Sequence, residues 1–222
     1  MVSDYKEHEE EQIAPKTVKF FMCSGTCLGL ICFAFVVFQS CILNLYYFYG
    51  KNAHSVSPMS GQAFFVGGLG QVIAGIMCYY QNDIFHASAF TSFGLNWMGR
   101  GLTGYIYDIS FIFNGTTKVL ARTSPTEAGI VTLTWSFWVI VLFLSKFRSN
   151  LSTFLMLLFL NIHVHTETIG VWLDNRAVII ISAITGIITA SLALYNGSYD
   201  LFEDKAAFSR IYKGRGPFEH KV

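Results

Sequence analysis

Between Phe20 and Phe48 the sequence carries no Asp, Glu, Lys, Arg or His. Crossing the ~30 Å hydrocarbon layer of a bilayer takes about 20 apolar residues as a helix, and this stretch exceeds that length. In lipid every backbone N–H and C=O must find a partner inside the segment, so such a run is committed to an α-helix. Composition points the same way: 53% of the 222 residues are hydrophobic and 13% are charged, whereas a soluble domain carries about 25% charged residues. Mean hydropathy is +0.46. A net charge of +1 offers no basic surface to a phosphate backbone, which sets nucleic-acid binding aside.

The rest of the chain repeats the pattern and predicts an all-α polytopic membrane protein of six transmembrane helices. Phe20 to Phe48 is the first helix, and the glycine-rich, charge-free Gly61 to Tyr80 is the second. Ile84 to about Thr103 is the third, apolar but dotted with polar side chains that should face protein or water. The polar connection from Tyr105 to Pro125 holds a short apolar piece, Ile109 to Phe113, that is too short to span and is expected at an interface. Ala128 to Ser145, Leu151 to Val171 and Ala177 to Asn196 complete the set. The domain division is thus a polar tail over 1–19, a transmembrane domain over 20–196 and a second tail over 197–222. Six crossings return the chain to its starting side. Cytoplasmic loops collect Lys and Arg. The tails and even-numbered loops hold Lys6, Lys16, Lys19, Lys146, Arg148, Lys205, Arg210, Lys213, Arg215 and Lys221, against Lys51, Lys118, Arg122 and Arg176 opposite. Both termini are therefore expected in the cytoplasm, with the plasma membrane as the host membrane.

Polar residues inside apolar helices are the candidates for function, each with a bland counterpart. In helix three Ser88, Ser92, Asn96 and Arg100 recur every fourth residue, a stripe that drifts about 40° per step. Such a stripe suits a solute path, Arg100 offering a fork of donors matched to a carboxylate, or it is polar glue and a snorkelling end residue. Gln71 either binds a solute or ties helix two to a neighbour. In helix five Leu160, His163 and Glu167 share a face. An ionised carboxylate at mid-bilayer costs about 2.5–3.5 kcal/mol on insertion scales, so Glu167 must be paired, neutral or wet, and His163 one turn away is the expected partner. That pair would serve proton coupling; otherwise Glu167 is merely near the headgroups marked by Trp172. Cys23, Cys27, Cys32, Cys41 and Cys78 lie in or beside apolar runs without a CxxC pair and read as small hydrophobes. His163 and His165 point to different helix faces with no third ligand nearby, so no metal is expected. No nucleotide or cofactor motif occurs, and no nucleophile or acid/base constellation beyond helix five argues for an enzyme.

The segment Gly67-Gly-Leu-Gly-Gln-Val-Ile-Ala-Gly75, followed by Ala89-Phe-Thr-Ser-Phe-Gly94, resembles the acetate uptake transporter family, which includes bacterial succinate-acetate permeases and yeast acetate/ammonia transporters. The family's first-helix motif Asn-Pro-Ala-Pro-Leu-Gly-Leu appears as Ser24-Gly-Thr-Cys-Leu-Gly-Leu30, without the asparagine and both prolines. A glutamate common near the end of the family's second helix corresponds to Cys78, and a usual tyrosine to Phe93. The chain thus resembles a divergent member of that family. The resemblance implies six-helix protomers in a homohexamer, each with a path for small monocarboxylates narrowed by three apolar side chains. Matching positions make these Phe33, Phe93 and Leu160, with Leu158 as the competing alignment for the last.

The expected function is therefore transport of acetate or a similar small monocarboxylate, with a proton or as the undissociated acid. Its rivals are a non-transporting sensor or assembly protein whose altered Ser24–Leu30 segment closes the path, and an exporter of ammonia or another neutral solute.

Overall fold

The computed structural model describes residues 24–48, 58–114, 125–202, 214 and 217. The expected tail over 1–19 lies outside the described residues, as do the start of helix one before Ser24 and the connection over 115–124. The described residues form six helices: α1 (Gly25–Phe48), α2 (Met59–Tyr80), α3 (Ile84–Asn114), α4 (Pro125–Ser145), α5 (Leu151–Trp172) and α6 (Arg176–Phe202). All but α3 are long and apolar enough to cross a membrane. Two boundaries differ from the sequence reading. Helix α3 continues into the supposed connection as far as Asn114, so the backbone of Ile109 to Phe113 is part of that helix rather than a separate short piece. Helix α6 extends past Asn196 to Phe202, taking the first residues assigned to the second tail.

Two tight corners follow one design. At the end of α2, Asn82 adopts the left-handed conformation (φ 58°), its N–H donates to Tyr79 O at 3.1 Å, and the Asp83 N–H donates to Cys78 O at 3.0 Å. At the end of α5, Asp174 (φ 46°) donates to Val171 O at 3.3 Å and Asn175 to Gly170 O at 2.8 Å. Both are Schellman closures, with Asn and Asp at the left-handed position that they tolerate better than other non-glycine residues. The last residue of each corner caps the next helix. Asp83 Oδ1 accepts from His86 N at 3.2 Å, and Asn175 Oδ1 from Ala177 N at 3.0 Å.

Each helix packs on its neighbours in the chain, and α6 returns to α1, so the helices stand in cyclic order with the thinnest contact between α3 and α4. Close approach needs small residues. A Cβ on Gly67 of α2 would lie 2.7 Å from Val36 of α1, and one on Gly94 of α3 would lie 2.8 Å from the Gly68 carbonyl. Within α2, Ala63–Gly70 takes the wider π-helical winding, the kind of irregularity that often marks a functional segment. Phe35, Phe38, Ile73, Ile76, Phe137, Val141, Leu144, Ile181 and Ile184 project outward as an apolar exterior, the surface a lipid solvent requires. Polar groups turn inward and pair across helices. Ser136 and Thr168 join α4 to α5 at 2.9 Å, and Ser152 donates to Asn196 Oδ1 at 2.7 Å to join α5 to α6.

Candidate functional site

Among the described residues, four cavities form a string, each sharing wall residues with the next. The first, of about 740 Å³, opens beside the start of α2 and is bordered by Ser40, Asn44, Ser60, Asn96, Arg100 and Glu167, among others. Asn96, Trp97, Arg100, Thr132 and Glu167 also border the second, of about 50 Å³. Phe33, Phe93 and Leu160 border both the second and the third, which measures about 30 Å³. Leu30, His86 and Met156 carry the string into the fourth, of about 140 Å³, which adds Thr26, Lys146, Asn150, Thr153 and Asn196. Two polar vestibules are thus separated by an apolar waist.

The waist is tightly built. Phe33 from α1 and Phe93 from α3 meet with ring centroids 5.8 Å apart, and Phe93 stacks on Trp135 of α4 at 5.7 Å. Leu160 of α5 completes the wall at 4% exposure, with Phe33 at 6% and Phe93 at 8%. Small volumes on either side of such a group leave no room for a hydrated ion, since narrow apolar constrictions shed water. Trp135 is absent from the sequence reading because an aromatic in a charge-free helix looks like any lipid-facing residue.

At the larger vestibule Arg100 Nη2 donates to Glu167 Oε1 at 2.9 Å, and the guanidinium lies 5.2 Å from the Trp97 ring centroid. This corrects the expected pairing of Glu167 with His163. The His163 ring instead turns to α6, where Nδ1 lies 2.8 Å from the Ser182 carbonyl, while the Ser182 hydroxyl donates back to the His163 carbonyl at 3.0 Å. That pattern assigns the proton to Nδ1. Gly186 leaves the space: a Cβ there would sit 2.8 Å from His163 Nδ1. His165 Nδ1 turns to the Asn161 carbonyl of its own helix at 2.7 Å.

The polar stripe on α3 divides. Asn96 and Arg100 face the cavities, whereas the Ser92 hydroxyl accepts from Trp138 Nε1 at 2.9 Å and donates to the Ala89 carbonyl, tying α3 to α4. Ser88 borders none of the four cavities. Neither does Gln71, which is fully buried (0% exposed), with both amide atoms lacking a hydrogen-bond partner among the described residues.

The smaller vestibule was not foreseen. Asp83 Oδ2 holds His86 Nδ1 at 2.5 Å, and Lys146 Nζ stands 4.8 Å from the Phe85 ring centroid. Burial raises the Asp83 pKa, but the hydrogen bond and charge of His86, with Lys146 further off, outweigh it and hold the carboxyl below its ordinary value. Thr26 and Leu30, from the altered first-helix motif, line this end. His86 and Lys146 are 60 positions apart in sequence, one read among the polar side chains of helix three and the other as a loop cation, so nothing in the sequence relates them.

Comparison with known proteins sets this geometry in context. The chain is 22% identical over 148 residues to an uncharacterised protein of Methanothermobacter thermautotrophicus, covering 67% of this chain and 72% of that one. It is 25% identical to Ammonia transport outward protein 3 of Saccharomyces cerevisiae, over 60% of this chain and 46% of the yeast protein. It is 28% identical to the Glyoxylate pathway regulator of Yarrowia lipolytica, over 76% and 60% respectively; the match thus spans less than two thirds of either yeast relative. The fold matches the bacterial acetate channel SatP with a TM-score of 0.72 at 20% identity, covering 87% of this chain and 99% of the channel. A model of the GPR1/FUN34/yaaH family matches residues 12–215, and the chain belongs to that family.

Proposed function

We propose that the chain is an integral membrane transporter of acetate or a similar small monocarboxylate, moving it with a proton or as the undissociated acid. One observation carries the reading. The cavity string joins a vestibule holding Arg100 to one holding His86 and Lys146 through the apolar waist of Phe33, Phe93 and Leu160. Cationic side chains at both ends would gather a carboxylate, and the waist would admit it only after it sheds water. The names of the solved relative, an acetate channel, and of the yeast ammonia protein support a small-solute path.

In this reading Phe33, Phe93 and Leu160 form the constriction, Asn96 and Arg100 line the path, and Ser92 and Ser88 shape it from behind. Gln71 would offer its buried amide to a solute or to water that reaches it. Glu167, with His163 behind it, would carry the proton. The protomers would form a homohexamer in the plasma membrane with both tails in the cytoplasm, requiring no cofactor and catalysing no covalent step.

A second reading is outward passage of ammonia. It is favoured by the apolar waist, which passes a neutral solute without a cationic partner. Radiolabelled acetate uptake into proteoliposomes, with and without an imposed proton gradient, tests the first reading. Uptake that rises with an inward gradient supports coupled transport. Absence of acetate uptake alongside methylammonium flux favours the second, and absence of both favours a sensor.

A further inference from the structure

Arg100 and Glu167 stand on α3 and α5, helices with no Cα atoms within 8 Å of each other, so their 2.9 Å contact crosses the lumen instead of sealing a packed seam. Both residues border the large vestibule and also the small cavity beyond it, which puts the pair at the boundary between the two. The contact is single, Nη2 to Oε1, among the described residues. A guanidinium offers five donors in a fork that suits two-point binding of a carboxylate, so one contact leaves most of that capacity unused. The Arg100 side chain is 39% exposed and Glu167 19%, both open to the vestibule. The Trp97 ring, 5.2 Å from the guanidinium carbon, braces Arg100. Asn96, one turn away on α3, borders both cavities and adds an amide.

We propose that Arg100 is the anion site of this vestibule and that Glu167 is its resident competitor: the chain's own carboxylate occupies the position a small monocarboxylate must take. The pair is a latch opened by exchange. This rests on the transport reading and deepens it, since the same guanidinium that recognises the substrate is held back by a side chain bearing the substrate's functional group. While Glu167 holds Arg100, only the released fraction of molecules binds substrate, and the apparent affinity falls by that fraction. Removing the competing charge then strengthens binding, whereas removing a structural ion pair would weaken the fold and gain nothing.

Acetate is the probe, used with the full-length protein at one fixed pH. Two readouts are taken: the half-saturating concentration for uptake into proteoliposomes, and the half-saturating change in tryptophan fluorescence of the detergent-solubilised protein. The latch predicts that Glu167→Gln lowers both concentrations by about fivefold. Arg100→Gln raises both, and the double variant follows Arg100→Gln because the site itself is gone. Unchanged or raised values in Glu167→Gln, with wild-type uptake intact, overturn the latch and make the pair a strut. Absence of uptake and of a fluorescence response in the wild type overturns the transport reading beneath it. Should Glu167→Gln not fold, Glu167→Asp takes its place: its shorter arm predicts the same downward shift, and no shift overturns the proposal.

Discussion

Leu158 and Leu160 are two residues apart and so about 200° apart around α5. That separation lets one experiment decide which of them sets the filter. Leu160 borders the cavities on both sides of the waist, and Leu158 borders neither. Leu160→Ala removes an isopropyl group from the wall and should admit lactate while preserving acetate uptake, measured per folded molecule. Leu158→Ala should leave the acetate-to-lactate ratio where it was, and widened selectivity there would shift the alignment. Gln71 invites a different test, because a buried amide without partners costs stability that an apolar side chain of similar shape would recover. Gln71→Met should raise resistance to thermal unfolding in detergent, by about 1–3 kcal/mol, and lower acetate uptake. Greater stability with unchanged uptake would leave the amide without a role in the path. At this scale the sequence marked Gln71, Asn96, Arg100 and Glu167 because polar groups are costly inside apolar helices. It did not show that Arg100 meets Glu167 across 67 positions. Helical periodicity ranks partners within a helix, so it offered the nearby His163, and only the closed ring brings α3 opposite α5.

At the scale of elements, the two corners explain why most helix ends were legible. Gln81-Asn82-Asp83 and Leu173-Asp174-Asn175 each place a left-handed-tolerant residue before a capping side chain, a stop followed at once by a start. The end of α3 was not legible. Arg100 looks like the end of a helix leaving the bilayer, yet a helix whose Asn96 and Arg100 face a vestibule tolerates charge well before it ends. The π-helical turn of α2 has no signature in composition, since glycine-rich sequence winds either way. Asp83→Ala should destabilise the protein by about 1 kcal/mol through loss of the α3 cap, while Asp83→Asn, which keeps the acceptor, should cost less. The pH dependence has a definite sign. A carboxyl whose folded pKa lies below its unfolded value of about 3.9 adds stability above that pH, and this is lost as pH falls through the folded value. Thermal unfolding at neutral pH and below pH ~4 should therefore show the gap between wild type and Asp83→Asn closing in acid. A constant gap would mean that the charge on Asp83 contributes nothing.

In the whole molecule, the helix ends that lie together fix the relative orientation of the crossings. The first residues of α1 meet the end of α2, where Gly25 N–H donates to Gln81 Oε1 at 3.3 Å, and a Cβ on Gly197 of α6 would lie 3.4 Å from the Cys27 carbonyl. The end of α4 and the start of α5 join the same face: Lys146 stands over Phe85 near the start of α3, and Leu151 N–H reaches the Gly214 carbonyl at 3.4 Å. One face therefore gathers the start of α1, the last turns of α6 and the loop that carries Lys146 and Arg148. Helix α3, too polar for a hydropathy criterion, is required as a crossing if α2 and α4 are to start from the opposite face as they do. In the proposed topology the positive-inside tendency would put that shared face in the cytoplasm. Cys32, Cys41 and Cys78 are buried, so in intact cells they should react slowly with a membrane-impermeant maleimide, and a version with all cysteines replaced gives a clean background. Single cysteines at Ser3 and at Ser209 should then be labelled only after permeabilisation, whereas one at Ser55, between α1 and α2, should be labelled from outside. Labelling at Ser3 and Ser209 without permeabilisation would invert the molecule and exchange the vestibules, leaving His86 and Lys146 facing outward and Arg100 facing in. Labelling of one tail alone would break the six-crossing arrangement and, with it, the proposed path through the ring.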